Sequence, residues 1–334
     1  MSTRKSGAPC ARVACLWIAA AGAFAAGCDD FRQCDAPAPD LQAALPAALS
    51  ETGLYADFAA RAVASDVVAY EPAFELWSDG AEKRRFLRLP PGAKIDTGDQ
   101  NTWQFPEGTR LWKEFRRDGV LVETRVLAKV GAAPEAWAAV AYVWNAEGTE
   151  ALAAPGGAED ALGTPHDVPA AGDCMGCHGG TESRVLGFSA IQLAASPGEV
   201  DLDEVAARGM LSDPPEDPVV LPGDDAARAA LGWLHANCSH CHNQRRPERS
   251  GARCYDPQHS FDFTLRVGEL RSVEATATYR TAVDKWITPG DPEDSEVVER
   301  AERRDPSWPS MPPLGTEVVD EAGLAALRAW IRAL

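Results

Sequence analysis

The stretch Leu231–Asn243 reads LGWLHANCSHCHN and holds Cys238, Cys241 and His242 in the order C-x-x-C-H. The same order occurs earlier, at Cys174, Cys177 and His178. Two thiols three residues apart on a helical turn can each form a thioether to a haem vinyl group, and the histidine that follows places an imidazole beneath the iron. The sequence therefore predicts two covalently bound haem c groups. Cys174, Cys177, Cys238 and Cys241 would carry the thioethers, and His178 and His242 would be axial iron ligands. A single motif of this kind also fits a zinc knuckle or a dithiol redox pair, but a thioredoxin-type site needs a βαβ context that is not evident here.

Around the second motif, Ala227, Leu231, Leu234, Cys238 and Cys241 recur at helical spacing, behind Asp224 and Asp225, which suit an N-cap. Further on, Asp291-Pro292 is read as the cap of a helix running to about Arg303, and Asp320 as the cap of a final helix with Leu324, Leu327, Ile331 and Leu334 on one face. Met311, flanked by Pro312 and Pro313, precedes that final helix and is the expected second axial ligand of the second haem. For the first haem the same logic selects Met210, with His235, His166 or no protein ligand as alternatives. The run Arg245, Arg246, Arg249 and Arg253 is read as a solvated loop, the alternatives being haem propionates or a docked partner.

The N-terminus reads as an export signal: Arg4, Lys5 and Arg12 form a basic region before an apolar run from Cys15 to Ala26 that is short for a membrane span. Ala25-Ala26-Gly27-Cys28 resembles a bacterial lipobox, which implies cleavage before Cys28 and its lipidation; plain signal cleavage is the alternative. The expected address is the cell envelope, as a periplasm-facing or outer-surface lipoprotein held to the membrane through Cys28. Of the nine cysteines, Cys34 and Cys254 are left over, as a possible disulfide or as two free thiols. The formal charge of -18 argues against nucleic acid as a partner.

Between tether and haem sites, short aromatic and β-branched runs are broken by turn signals at Ser78-Asp79-Gly80, Pro90-Pro91-Gly92 and Pro106-Glu107-Gly108. Val122, Thr124, Val126, Ala128 and Val130 alternate with Glu123, Arg125 and Lys129, which predicts a strand with one wet face that Leu127 interrupts. Asp118-Gly119 predicts a hairpin turn, and Trp137–Trp144 a strand buried on both sides. Trp77, Trp103, Trp112, Trp137 and Trp144 are read as core, a ligand cleft being the alternative. The expected fold is multidomain: an N-terminal antiparallel β-sandwich or jelly roll, then mainly α-helical cytochrome c modules, class I-like at the C-terminus. The expected divisions are 1–28 signal, 29–50 tether, 51–155 β-rich domain, 165–222 first haem module and 224–334 cytochrome c domain, with Glu147–Ala171 as linker.

Trp77-Ser78-Asp79-Gly80-Ala81-Glu82-Lys83-Arg84, Asn237–Asn243, Pro289-Gly290-Asp291-Pro292-Glu293-Asp294-Ser295 and Met311-Pro312-Pro313-Leu314-Gly315 together resemble a family of exported bacterial dihaem c-type cytochromes. The resemblance covers about residues 51 to 334 and implies haem binding, iron coordination and electron transfer to an envelope partner protein, with no established substrate. A haem redox enzyme of peroxidase or oxidase type, with an open first haem and a pocket in the β region, is the alternative, and a haem-bearing sensor or ligand-binding lipoprotein is a third.

Overall fold

The computed structural model describes residues 43–246, 260–304, 311–313 and 315–334. The leader, Cys28, Cys34 and Cys254 lie outside the described residues, as do Arg249 and Arg253 of the basic run. A short ribbon of β1 (Tyr55–Asp57) and β2 (Ala62–Val63) precedes a six-stranded sheet. The sheet consists of β3 (Val68–Tyr70), β4 (Glu82–Arg88), β5 (Arg110–Arg117), β6 (Val120–Lys129), β7 (Trp137–Trp144) and β8 (Ala151–Ala153). Each strand pairs antiparallel with the next in chain order, so the sheet is a meander. Asp118 (φ 51°) and Gly119 (φ 80°) form the β5–β6 turn, both in the left-handed region that a two-residue hairpin of matching twist requires.

Because side chains alternate across a strand, the sheet sorts its residues onto two faces. Phe86, Trp112, Val126, Val140, Tyr142 and Trp144 point to one and close a core with Leu49, Leu54 and Tyr55. Leu87, Leu111, Leu127 and Ala139 point to the other and join a second, larger core that runs from Tyr70 to Ile331. On the first face the Tyr55 hydroxyl donates to the buried Glu114 carboxylate. Trp103, Trp112, Trp137 and Trp144 are core residues, whereas Trp77 is half-buried.

Helices cover the second face: α1 (Ala171–His178), α2 (Ala190–Ala194), α3 (Leu202–Ala207), α4 (Asp225–Asn237), α5 (Ala277–Ala282), α6 (Glu296–Glu302) and α7 (Glu321–Ala333). Asp224 caps α4 by accepting from the Ala227 amide at 2.9 Å, and Asp320 caps α7 by accepting from the Gly323 amide at 2.9 Å. α7 lies against α4, where the Trp233 indole donates to Asp320 at 2.7 Å. Burial of Leu324, Leu327 and Ile331 at this contact is worth roughly 1.5–3 kcal/mol per side chain. No helix among the described residues is long and apolar enough to cross a membrane.

The sequence expectation of a sandwich or jelly roll followed by helical cytochrome c modules is overturned. The strands pair in sequence into one six-stranded meander, and what packs on its first face among the described residues is a two-stranded ribbon, not a second full sheet. The helices are few, and only α4 and α7 reach 13 residues; α2, α3, α5 and α6 have five to seven. Such short helices bury too little to hold a core alone, and residues from sheet and helices share the larger core instead. Local expectations shift as well. β6 has no wet face, since Glu123 and Lys129 are buried and Arg125 half-buried. Asp291 caps no helix but accepts from the Glu293 and Asp294 amides in the turn ahead of Ser295 and α6. The stretch read as linker supplies β8 and a bridge between Ala158 and Val168.

Candidate functional site

α1 carries the first motif. Its N-terminal turn is tied by Asp173, which accepts from the Ala170 amide at 3.0 Å. The motif falls in the last five residues of α1, so Cys174 and Cys177 stand about one turn apart. His178 closes the helix, with Nδ1 2.7 Å from the carbonyl oxygen of Arg184. A carbonyl can only accept, so Nδ1 carries the proton and Nε2 presents its lone pair. Burial pushes the imidazole down to about 4, which keeps it neutral at pH 7 and suited to binding a metal ion. This is the backbone support that holds a ligating histidine in one tautomer and one orientation.

The second motif continues α4. The amides of Cys241 and His242 donate to the Cys238 carbonyl at 3.1 and 2.8 Å, extending the turn past Asn237. His242 stacks on Phe261 with ring centroids 4.5 Å apart and meets Phe263 edge-on at 6.1 Å. Asn237 ties this helix end to the N-terminal region: its side-chain oxygen accepts from the Trp77 amide at 2.7 Å and its amide donates to the Glu75 carbonyl at 3.1 Å. Two residues on, Asp79 accepts from the Val318 amide at 2.7 Å, and the Trp77 indole donates to the Val318 carbonyl at 2.8 Å. The WSDG stretch thus fastens the end of α4 to the segment leading into α7.

The two motifs touch. Gly180 lies so close to the second motif that a Cβ there would sit 1.7 Å from the His240 carbonyl oxygen. The Asn243 side-chain amide donates to the Gly180 carbonyl at 3.0 Å and to the Ser239 carbonyl at 2.7 Å. A hydrogen bond with Cys241 and then burial raise the Cys177 thiol, so one thiol of each motif meets the other. Burial pushes Cys174 and Cys238 up to about 12. None of the four cysteines forms a disulfide.

A cavity of about 1180 Å³ opens beside α1. Cys174, Cys177 and His178 line it from the helix, Lys113 and Arg125 from the sheet, and Pro312 and Pro313 from the loop before α7. It slightly exceeds the usual range for small-molecule sites, about 300–1,000 Å³, so a macrocycle can be accommodated. The donor set agrees: two thiols and a neutral, oriented imidazole line one cavity. Among the described residues no three His, Cys, Asp or Glu side chains gather as a bare zinc ion would require.

The remaining sequence candidates are distributed more widely. Met311 is half-buried, its amide donating to the Arg300 carbonyl at 3.1 Å. Met210 packs against the larger core and lies outside the cavity wall, its carbonyl accepting from the Ile95 amide at 2.8 Å. His166 lines the cavity, but its Nε2 is 2.7 Å from Glu123. His235 accepts from the Leu265 amide at 3.2 Å. The paired charges beneath the first motif escaped the sequence reading: Glu123, 0 % exposed, receives Arg125 through contacts of 2.6–3.0 Å and His166 from the other side. Their only sequence signal was the alternation of Glu123, Arg125 and Lys129 with apolar residues along β6, broken at Leu127. No family model, no curated protein and no solved structure matches the chain.

Proposed function

We propose that the protein is a dihaem c-type electron carrier of the bacterial cell envelope, anchored through a lipid on Cys28 and exchanging electrons with an envelope redox partner protein. Cys174 and Cys177 would hold one haem covalently and Cys238 and Cys241 the other, with His178 and His242 as iron ligands. The observation that carries the reading is the His178–Arg184 hydrogen bond of 2.7 Å, which fixes a neutral imidazole beside two thiols on a large cavity. Haem supplies one-electron redox chemistry tuned by its axial ligands and their surroundings. The chain's own residues orient the His178 imidazole, pack Phe261 and Phe263 against that of His242, and hold the two motifs in contact through Asn243 and Gly180. That contact suits transfer between two centres. Met311 is proposed as the second ligand of the second iron; Met210, packed against the larger core outside the cavity wall, is not proposed as a ligand of the first.

One observation favours a second reading, a haem redox enzyme: the first motif faces a cavity shared with polar side chains of the sheet. Carbon monoxide titration of the dithionite-reduced protein, with haem counted per chain by a pyridine assay, separates the two. Two haems and no carbon monoxide binding support the carrier. Carbon monoxide binding at one of two haems supports the enzyme, and a count below two rejects dihaem binding.

A further inference from the structure

Arg85, Lys113 and Arg125 stand directly opposite one another on β4, β5 and β6, Arg85 paired with Lys113 and Lys113 with Arg125. Directly paired residues share a sheet face. Two residues along the same strands, Leu87, Leu111 and Leu127 form the matching apolar row that enters the larger core. The face therefore changes from apolar to cationic within one repeat, and the cationic part lines the cavity of the first motif. Like charges directly opposite each other are destabilising, and Arg85 is only 4 % exposed. Such a row needs anions.

The chain supplies some of them. Glu75 takes Arg85 at 2.9 Å and Lys83 at 3.6 Å, and Glu123 takes Arg125. Around the row, Lys83, Arg85, Lys113 and Arg125 thus meet two carboxylates, while Lys129, farther along β6, is held by the Ala133 and Pro134 carbonyls. Lys113, at the centre, has no carboxylate within 4 Å among the described residues; its ammonium lies 5.1 Å from the Phe115 ring centroid. Asp79, Glu159, Asp167, Asp173 and Glu317 lie elsewhere on the cavity wall, and none forms an ion pair with the row. Burial first, then Arg85, Lys83 and Arg125, push the Lys113 ammonium well below its ordinary range, and an anion placed beside it would restore the charge.

We infer that the Arg85–Lys113–Arg125 row receives a pair of carboxylates, and that these are the two propionates of the first haem. The assignment rests on the haem reading above. An excess of two positive charges matches two propionates, and the row shares one cavity with Cys174, Cys177 and His178. The row then neutralises its own repulsion and sets the electrostatics of the first iron.

The test uses the full two-haem protein and follows the midpoint of each haem by spectroelectrochemistry, the first haem being the one lost in a Cys174→Ser/Cys177→Ser variant. Removing a positive charge beside a haem favours the ferric state. In Lys113→Gln the ferric-to-ferrous ratio of the first haem at fixed poise should rise about tenfold, a fall of about 59 mV for one electron, with the second haem nearly unchanged. Lys113→Arg, which keeps the charge and guards against a folding artefact, should match the wild type. Added succinate should shift neither midpoint, because propionates hold the row. An unchanged first midpoint in Lys113→Gln with two haems attached overturns the assignment. So does a saturable succinate shift in the wild type that Lys113→Gln abolishes, since the row would then serve a free carboxylate. A wild-type haem count below two overturns the haem reading itself and this assignment with it.

Discussion

The carbonyl oxygen of Gly180, two residues past the first C-x-x-C-H, accepts a hydrogen bond of 3.0 Å from the side chain of Asn243, the residue directly after the second. The amide of Asn243 also donates to the Ser239 carbonyl, so one buried side chain joins both motifs. Asn243→Ala leaves two carbonyls without that donor and should cost about 1–3 kcal/mol. Gly180→Ala should cost at least as much, because its Cβ would overlap the His240 carbonyl and the contact is with backbone. Denaturant unfolding measures both. If the motif contact is the route between centres, both variants also slow electron exchange between the haems, read by flash photolysis from a partly reduced state.

A second close approach fixes α4 against the connection between β3 and β4. Gly232 faces the Phe74 ring, and a Cβ there would sit 2.1 Å from the nearest ring carbon. Gly232→Ala should therefore destabilise by roughly 1–3 kcal/mol through overpacking. Phe74→Leu in the same chain should return part of that loss, a positive coupling that a double-mutant cycle reads directly. Strictly additive effects would mean that the two residues do not press on each other.

What was legible in the sequence was what short range decides. Asp118-Gly119, Trp137–Trp144 and the caps Asp224 and Asp320 are set by neighbours within one turn or one strand, and each is where the sequence placed it. The assembly of strands was not legible, because alternation along a strand says which side chains share a face but not what covers it. Glu123, Arg125 and Lys129 show the ambiguity: charges alternating with apolar residues read the same facing water as facing an internal cavity. The cationic row was hidden for a related reason. Arg85, Lys113 and Arg125 are far apart in the chain and come together only through the register of β4, β5 and β6. The thiols and imidazole of the first motif, by contrast, needed only five consecutive residues to be found, though the Arg184 carbonyl that orients the imidazole carries no side-chain signal.

Glu123 gives a pH-dependent prediction. Burial alone would raise its carboxyl, but the Arg125 guanidinium and the hydrogen bonds from His166 and Arg125 outweigh it and hold the group below the ordinary carboxylate range. A carboxyl depressed on folding binds its proton more readily when unfolded, so its contribution is fully present above the unfolded value and is lost as pH falls through the folded one. Stability should therefore be flat in this respect near neutrality and decline below about pH 4.5. Glu123→Gln leaves Arg125 without its buried carboxylate and should cost roughly 3–5 kcal/mol at pH 7. The same variant should flatten the acid limb, which urea unfolding at a series of pH values would reveal; an unaltered acid limb would assign that limb to other carboxylates.

The meeting of Cys177 with Cys241 carries a consequence for the chain before haem is attached. Within a C-x-x-C pair the expected oxidation product links the two thiols of the same motif. Here Cys174 turns back toward the Ala170 carbonyl, 3.8 Å from its sulfur, while Cys177 is hydrogen-bonded to a thiol of the other motif. Haem-free protein treated with diamide, which accepts the two hydrogens released, should therefore form a Cys177–Cys241 disulfide ahead of Cys174–Cys177. Peptide mapping under non-reducing conditions distinguishes the products, and Cys177→Ser should suppress the crosslink between motifs. Attack requires the thiolate, and both burial and the shared hydrogen bond disfavour it, so oxidation should be slow at neutral pH and accelerate as pH rises. A crosslink confined to Cys174–Cys177 would show that the motifs separate in the haem-free chain. Dominance of Cys177–Cys241 would mean that haem attachment must precede oxidation, since the crosslink removes one thioether position from each site at once.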